Sequence, residues 1–454
     1  MAPQAINPIL GGRETVSSDR VLLTSVRGQP LADVGLVPRL LAQVAVDGLR
    51  RGGDGSPPDP AIFETAAQLF AHETVAGETY DAYAHNVMLS TGLTASSVSQ
   101  ATADIVTQLS ELRAVTMAEL PSAGFTSGFG TRWVPRGEVF TCLLASNHPA
   151  PNASWVQALF HGYRVLVRPG GRDPFTPHRL LGALLAAGLP PDSAAFVPCG
   201  HAVGEYLVDV ADRALVYGGE QAVARWRGQE SVAVRGPGRA KALLDVDPTD
   251  EVLDHLAFTA SFDGGARCTN LSAVFTSRPV AEVADGLAER LTKIPALPAT
   301  DPEAVLLTLD RTRADLLGGQ LSRMRGDGLH DHSGQLDDRD TVVEVGDGSC
   351  VVRPSILSTD RADDSRLGTE LPFPFVIVAP WHHDDGVVPL RDSLVLNLIT
   401  DRRDLVDRAV REPSIRKVAG GLAVPWATAP GIPHDGNFTQ FLLEPKGIIG
   451  DIAG

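Results

Sequence analysis

The sequence predicts an α/β protein of two units, each built around a mainly parallel sheet. Short apolar runs alternate with helix-period segments from 139 to 217, and the alternation resumes from 241 to 291. The strands predicted at 195–197 and 214–217 are each followed closely by glycine. This is the pattern of βαβ units, which bind ligands at the carboxyl ends of their strands.

Residues 1–60 are rich in Gly and Pro, and 50–60 reads as a loop. From 60 to 119, Ile62, Ala66, Leu69 and Phe70, then Ile105, Leu109 and Leu112, recur at helical spacing, enough for two or three helices. Residues 124–142 alternate apolar and polar side chains around glycines, as an extended arm or hairpin does. Strands follow at 139–144, 164–167, 195–197 and 214–217, with helices at 153–161 and 177–187, the second closed by Gly188 and two prolines. The second unit opens with a strand at 241–245 and a helix at 250–262, whose first turn carries acidic residues that suit the helix dipole. Segments at 271–276, 281–291, 304–309 and 311–323 continue it, and the polar stretch 326–340 reads as a surface loop.

The most chemically suggestive run lies between the helix at 250–262 and the strand at 271–276. Gly264 and Gly265 let the backbone turn sharply before Cys268, and Arg267 places a positive charge beside the sulfur, which would favour thiolate. The expected role is a nucleophile. Cys142, Cys199 and Cys350 fall in or beside apolar strands and read as buried.

Composition excludes several functions. The net charge of -16 opposes nucleic acid or an anionic membrane as a partner. No run of about 18 apolar residues occurs, so no membrane insertion is expected, and the amino terminus lacks a secretory pattern, so the expected location is cytoplasmic. Four scattered cysteines give neither a disulfide framework nor a cysteine-rich zinc site. His330, His332, His382 and His383 lie in polar, turn-like stretches and predict no metal.

Several motifs in order give a resemblance. Ser146-Asn147-His148-Pro149, the strand ending in Arg168-Pro169, the helix exit at 186–191, the Tyr217-Gly218-Gly219-Glu220 turn and the Glu370-Leu371-Pro372-Phe373-Pro374 element resemble, in sequence order, motifs of the aldehyde dehydrogenase superfamily. The likeness runs from about 135 to 446. It implies an aldehyde dehydrogenase-like fold: a Rossmann-like cofactor domain (1–123 and 143–243), an α/β catalytic domain (244–425), and an oligomerisation arm (124–142 with 426–454). Unpaired strand edges in such an arm imply a homodimer or higher homo-oligomer.

The resemblance also assigns roles. Cys268 would be the acyl-carrying nucleophile, and Asn147 with the Cys268 backbone N–H would hold the oxyanion. Arg168, Gly218, Gly219, Gly236, Gly238 and Glu370 would face a nicotinamide cofactor, Arg168 at the adenosine ribose and Glu370 at the nicotinamide ribose. Gly171-Arg172 stands where NAD-dependent members carry an acidic residue, so nothing there repels a 2′-phosphate and NADPH is permitted alongside NADH. No GxGxxG fingerprint is present, in keeping with this superfamily's own cofactor mode.

One departure sets the expected chemistry. Members that hydrolyse their thioester intermediate carry a glutamate upstream of the cysteine, and here Val234 or a close neighbour stands in its place. Without a base for water, the chain looks like the acylating branch, similar to long-chain acyl-CoA reductases. The implied reaction is NAD(P)H-dependent reduction of an acyl thioester, carried on CoA or on the phosphopantetheine of an acyl carrier protein, to an aldehyde. Two alternatives remain. One is a non-acylating aldehyde dehydrogenase with another base, such as Glu220 or Glu344; the other is a catalytically silent scaffold of the same fold.

Overall fold

A computed structural model of the chain describes residues 3–52, 56–121, 129–326, 328–336 and 341–450. The centre of the predicted 50–60 loop, the glycine-rich start of the arm at 124–128, and residue 327 with 337–340 of the predicted surface loop lie outside the described residues.

Two seven-stranded sheets form the body. The first runs in the order Val232–Arg235, Arg213–Tyr217, Val139–Leu143, Arg164–Arg168 and Ala194–Phe196, all parallel, and is extended by the antiparallel Ile9–Leu10 and Arg13–Glu14. The second runs His330–Asp331, Ser355–Ser358, Phe375–Pro380, Leu271–Thr276, Ala240–Leu244, Ser393–Ile399 and Ile415–Gly420, parallel throughout except at its first strand. Val139–Leu143 and Leu271–Thr276 are buried at every position, as expected of strands covered on both faces.

Helices Pro60–His72, Tyr80–Thr91 and Ala95–Ser110 pack with Phe175–Ala186 around Phe63, Phe70 and Tyr83, all close to fully buried. Asp59, Thr79 and Thr94 cap the first three by accepting a backbone N–H within the first turn. The amino-terminal 60 residues hold more structure than their Gly and Pro content predicts. Gln4–Ile6, Pro30–Gly35 and Arg20–Thr24 form a three-stranded sheet, and Arg39–Arg51 is a helix that packs on helix His201–Val210. The 304–309 segment, in turn, is not a strand: only Leu309 makes a bridge, to Cys350.

Two strands lie elsewhere than the sequence division places them. Val139–Leu143 is central in the first sheet rather than part of the arm, and Ala240–Leu244 is central in the second rather than the end of the cofactor domain. The arm is Phe129–Pro135 paired antiparallel with Leu443–Ile449. Among the described residues, no helix is long and apolar enough to cross a membrane.

An edge strand of the first sheet leads straight into an interior strand of the second. The chain leaves the carboxyl end of Val232–Arg235, crosses in Gly236-Pro237-Gly238 through a cis Gly236–Pro237 bond, and enters the amino end of Ala240–Leu244. The carboxyl ends of the first sheet therefore face the amino ends of the second.

His161, just past helix Ala153–Phe160, has a buried Nε2 with no hydrogen-bond partner among the described residues, and burial pushes its pKa down to about 4. Because the folded-state value lies below the ordinary 6.5, the unfolded chain takes up the proton first as pH falls. The stability held above pH 6.5 is then lost between about 6.5 and 4, by about 3 kcal/mol for this group. Thermal melts across that window should show a shallower fall for His161→Gln than for the parent; parallel curves would exclude His161 as a contributor.

Candidate active site

Cys268 lies in a turn that the surrounding residues build tightly. Helix Asp250–Ser261 runs into a short 3-10 turn, Phe262–Gly265, in which Asp263 and Gly264 both take left-handed backbone angles (φ 49 and 65). Gly265 follows at φ 81, and a β-carbon there would come 2.5 Å from the Phe373 carbonyl carbon. Asn270 closes the turn: its Oδ1 accepts the Arg267 N–H at 2.6 Å, and its amide donates to Thr259 O and Phe262 O. The outcome is that Cys268 is an exposed residue at the junction of the two sheets, while the other three cysteines are buried.

Asp263 holds this turn to the first sheet. His148 Nδ1 accepts the Ala150 N–H, which leaves the ring proton on Nε2 to be donated to Asp263 at 3.2 Å. Arg267 donates to the same carboxylate at 2.5 Å and reaches Asp104 on helix Ala95–Ser110 at 2.9 Å. Burial acts to raise the Asp263 carboxyl, but His148 and Arg267 outweigh it and hold it down to about 2. Burial also lowers His148.

Arg267 therefore does not play the part its position in sequence suggests. Its charge is committed to two carboxylates and to the Phe262 ring, 5.0 Å away. The Cys268 thiol is pushed up to about 12, first by the protein packed around it, then by the Glu370 and Asp435 carboxylates. The cation that opposes them is Arg235.

Arg235 stands where the sequence comparison left a gap. On strand Val232–Arg235, Val234 packs away from the cysteine, against the cluster of Leu143, Val216, Val223 and Trp226. Arg235 is on the other face, in register with Tyr217, its guanidinium 6.0 Å from the Tyr217 ring and 5.2 Å from that of Phe438. Strand alternation would have singled it out, since Val232 and Val234 claim one face and leave 235 the other. Among the described residues its side chain makes no hydrogen bond or ion pair.

Asn147 donates its side-chain amide to Ala266 O at 2.8 Å, two residues before Cys268. The amide nitrogen carries a second proton that can serve an oxyanion. Glu370 accepts the backbone N–H groups of Gly238 and Arg239 at 3.1 and 2.6 Å, and burial raises its pKa. Gly238 has no room for a side chain: a β-carbon would lie 1.9 Å from Cys268 O and 2.9 Å from Glu370 Oε1. Gly236 likewise presses on Gly218 O, where a β-carbon would come within 2.5 Å. Phe373 is buried in the core of the second unit.

The remaining predicted positions line the carboxyl ends of the first sheet. Arg168 ends strand Arg164–Arg168 and donates to Cys199 O at 3.2 Å. Gly218 and Gly219 lead from Arg213–Tyr217 into a helix of only four residues. At Gly171, Gly200 and Gly219 a β-carbon would meet nothing within 4 Å, so backbone borders open space beyond three strand ends of the first sheet. This fits a dinucleotide lying across the strand ends. Arg172, expected near the ribose, is instead paired with Asp310 at 2.9 Å.

One residue that no motif marked approaches the sulfur. His434 Nε2 lies 4.0 Å from Cys268 Sγ.

Comparison with known proteins decides the family. The family model described as "Aldehyde dehydrogenase family" matches residues 64–398. The chain belongs to the aldehyde dehydrogenase family. It is thus a member of a family of nicotinamide-dependent oxidoreductases that act on aldehydes. No curated protein matches the chain. Among solved structures, a variant of the 1-pyrroline-5-carboxylate dehydrogenase of Thermus thermophilus superposes with a TM-score of 0.83 at 14% identity, covering 98% of this chain and 93% of its own. An aldehyde dehydrogenase of Bacillus cereus in complex with NAD+ gives 0.81 at 16%, covering 99% and 97%. An indole-3-acetaldehyde dehydrogenase, also with NAD+, gives 0.80 at 18%, covering 97% and 96%. These likenesses show the aldehyde dehydrogenase fold.

Removing the charge at Asp263 tests the anchoring network. Asp263→Asn keeps a residue that tolerates the left-handed backbone but strands Arg267 and His148, and should cost about 3 kcal/mol. Chemical denaturation measures it, and a loss below about 1 kcal/mol would refute the network's role.

Proposed function

We propose that this aldehyde dehydrogenase family member reduces acyl thioesters to aldehydes with NAD(P)H through an acyl group carried on Cys268. The observation that supports this most is Arg235: the side chain facing the sulfur from the first sheet is a guanidinium, which cannot take a proton from water. The neighbouring carboxylates are engaged. Glu370 holds two backbone amides, and Glu220 pairs with Arg227 and Arg239. Glu344 sits opposite Cys350 on the hairpin of Val342–Glu344 and Cys350–Val352, so neither alternative base serves Cys268.

The chain's own residues divide the work. Cys268 attacks the thioester carbonyl, and Asn147 with the Cys268 N–H carries the negative charge that develops on oxygen. Arg235 favours the thiolate and, standing where water would be activated, protects the acyl group from hydrolysis. Gly218, Gly219, Gly236 and Arg168 would border the cofactor, with Glu370 released from its amides to hold a ribose. When bound, the reduced nicotinamide supplies the hydride that turns the acyl group into an aldehyde. Gly171, with open space in place of an acidic side chain, admits a 2′-phosphate, which supports NADPH as well as NADH. The donor thiol is CoA or a carrier's phosphopantetheine, and four free cysteines suit a reducing, cytoplasmic setting.

A second reading keeps one support. Glu370 is the carboxylate with the largest influence on Cys268, and its raised pKa suits a base, so aldehyde oxidation to an acid would follow if it swung free to activate water.

Two experiments separate these. Acyl-CoA thioesters supplied with NADH or NADPH should consume the cofactor and leave an acyl adduct on Cys268 by intact mass, absent in Cys268→Ala. Acid formed from an aldehyde and NAD(P)+ without thioester turnover would favour oxidation, and no adduct with either substrate would leave a silent scaffold. Arg235→Glu should raise thioester hydrolysis without cofactor consumption by about 10-fold or more; unchanged hydrolysis would remove Arg235 as the reason that water is excluded.

We also infer that the arm pairs two copies, because the outer edges of Phe129–Pro135 and Leu443–Ile449 carry no partner strand among the described residues. Light scattering should give a dimer or larger for the full chain and a monomer after removal of 446–454; an unchanged mass would place the interface elsewhere.

A further inference from the structure

We propose that His434 is a catalytic residue, paired with Cys268, that takes the thiol proton as the sulfur attacks and returns it to the departing thiol. The proton step rests on the Cys268 chemistry proposed above.

Three observations carry it. His434 Nε2 stands 4.0 Å from Cys268 Sγ, within reach of a sulfur hydrogen bond. Among the described residues the His434 ring has no other hydrogen-bond partner, so no structural bond explains a half-buried imidazole at this place. The segment that carries it is also held firmly. A β-carbon at Gly431 would approach Ala118 to 3.1 Å, Asn437 donates to Glu119 O at 2.8 Å, and Thr439 N–H donates to the Glu119 carboxylate at 3.0 Å. His434 is therefore presented to the sulfur by a strap fixed to the end of helix Leu112–Glu119.

The electrostatics favour a neutral base in the resting enzyme. Burial pushes His434 down to about 3, and Arg235, Lys417 and Arg267 add to it. Cys268 faces Glu370, Asp435 and Arg235, and its thiol stays protonated. At neutral pH the resting pair is imidazole and thiol, and the proton passes to the ring only as the sulfur bonds to the substrate carbon. Asp435 is 3.8 Å from Arg416, so its charge is already partly answered.

The step balances without an added reagent. The Sγ–H bond breaks and its proton passes to His434 Nε2, while the sulfur electron pair bonds to the thioester carbonyl carbon. The intermediate then collapses, the bond from carbon to the original sulfur breaks, and that sulfur takes the proton from His434 Nε2. Nothing is oxidised or reduced. Without the imidazole, solvent must remove a proton from a thiol near 12, and few thiols would be ionised at pH 7.

Alkylation by iodoacetamide reads this step without any acyl substrate. With neutral imidazole present throughout, the parent rate at Cys268 should be nearly flat from pH 6 to 8. In His434→Gln it should be at least about 10-fold lower at pH 7 and should rise about 10-fold per pH unit, since ionisation then depends on solvent. Added imidazole should restore part of the rate in His434→Ala, and melting curves check that both variants fold. Superimposable pH profiles for parent and His434→Gln, both folded, would overturn the assignment. Octanoyl-CoA separates this from the thioester proposal: a flat alkylation profile with no octanoyl adduct on the parent keeps the pair and removes the thioester reading. An adduct that forms equally fast in His434→Gln keeps the thioester reading and removes the pair.

Discussion

The ionic contact at Asp263 is the constraint from which the site follows. A single buried carboxylate accepts hydrogen bonds from a histidine beside the first sheet and an arginine in the Cys268 turn, and that arginine is shared with Asp104 on a third element. Buried charge is costly unless it is paired and hydrogen-bonded, so such a contact tolerates little drift in any of its members. The left-handed backbone at Asp263 and Gly264, the projecting sulfur and the Asn147 amide are all placed relative to it. The residue that seemed to tune the nucleophile is thus one that positions it.

Charge around the sulfur has a different source. Strand Val232–Arg235 ends beside Cys268, so in the proposed reaction its last side chain decides what would meet an acyl group on the sulfur. A carboxylate would ready water for attack, whereas the guanidinium of Arg235 cannot, and it lies between two aromatic rings that hold it in place. With burial first and then Glu370 and Asp435 opposing it, the thiol is held protonated at rest, which gives a nearby imidazole its proposed task.

Much of this was legible in the residues, and the exceptions have physical causes. Six strands were readable because their middles are apolar, as at 164–168 and 271–276, whereas the second-sheet strands at 355–358, 375–380, 393–399 and 415–420 went unread. The amino-terminal strands were not: Arg20–Thr24 is largely exposed and Pro30–Gly35 opens with proline, so neither shows a clear periodicity. Cys268 stood out by its glycines, but the partners of Arg267 are 4 and 163 positions away, and the more distant one carries no local signal. His434 is 166 positions from Cys268, in a loop without a motif, and only folding reveals the pairing. Arg235 is the instructive case, because the alternation of Val232 and Val234 already implied which face it would take.

The crossing at Gly236-Pro237-Gly238 has a mechanical consequence. The backbone of the nucleophile turn rests on Gly238 so closely that no side chain fits between them, and Gly238 is where one sheet hands the chain to the other. A rotation of the two units against each other about this crossing has its axis beside Cys268. Atoms near an axis travel least. Opening and closing of the cleft would therefore sweep the distant strand ends, where Gly171 and Gly200 border open space, through the largest arc while leaving the sulfur almost stationary.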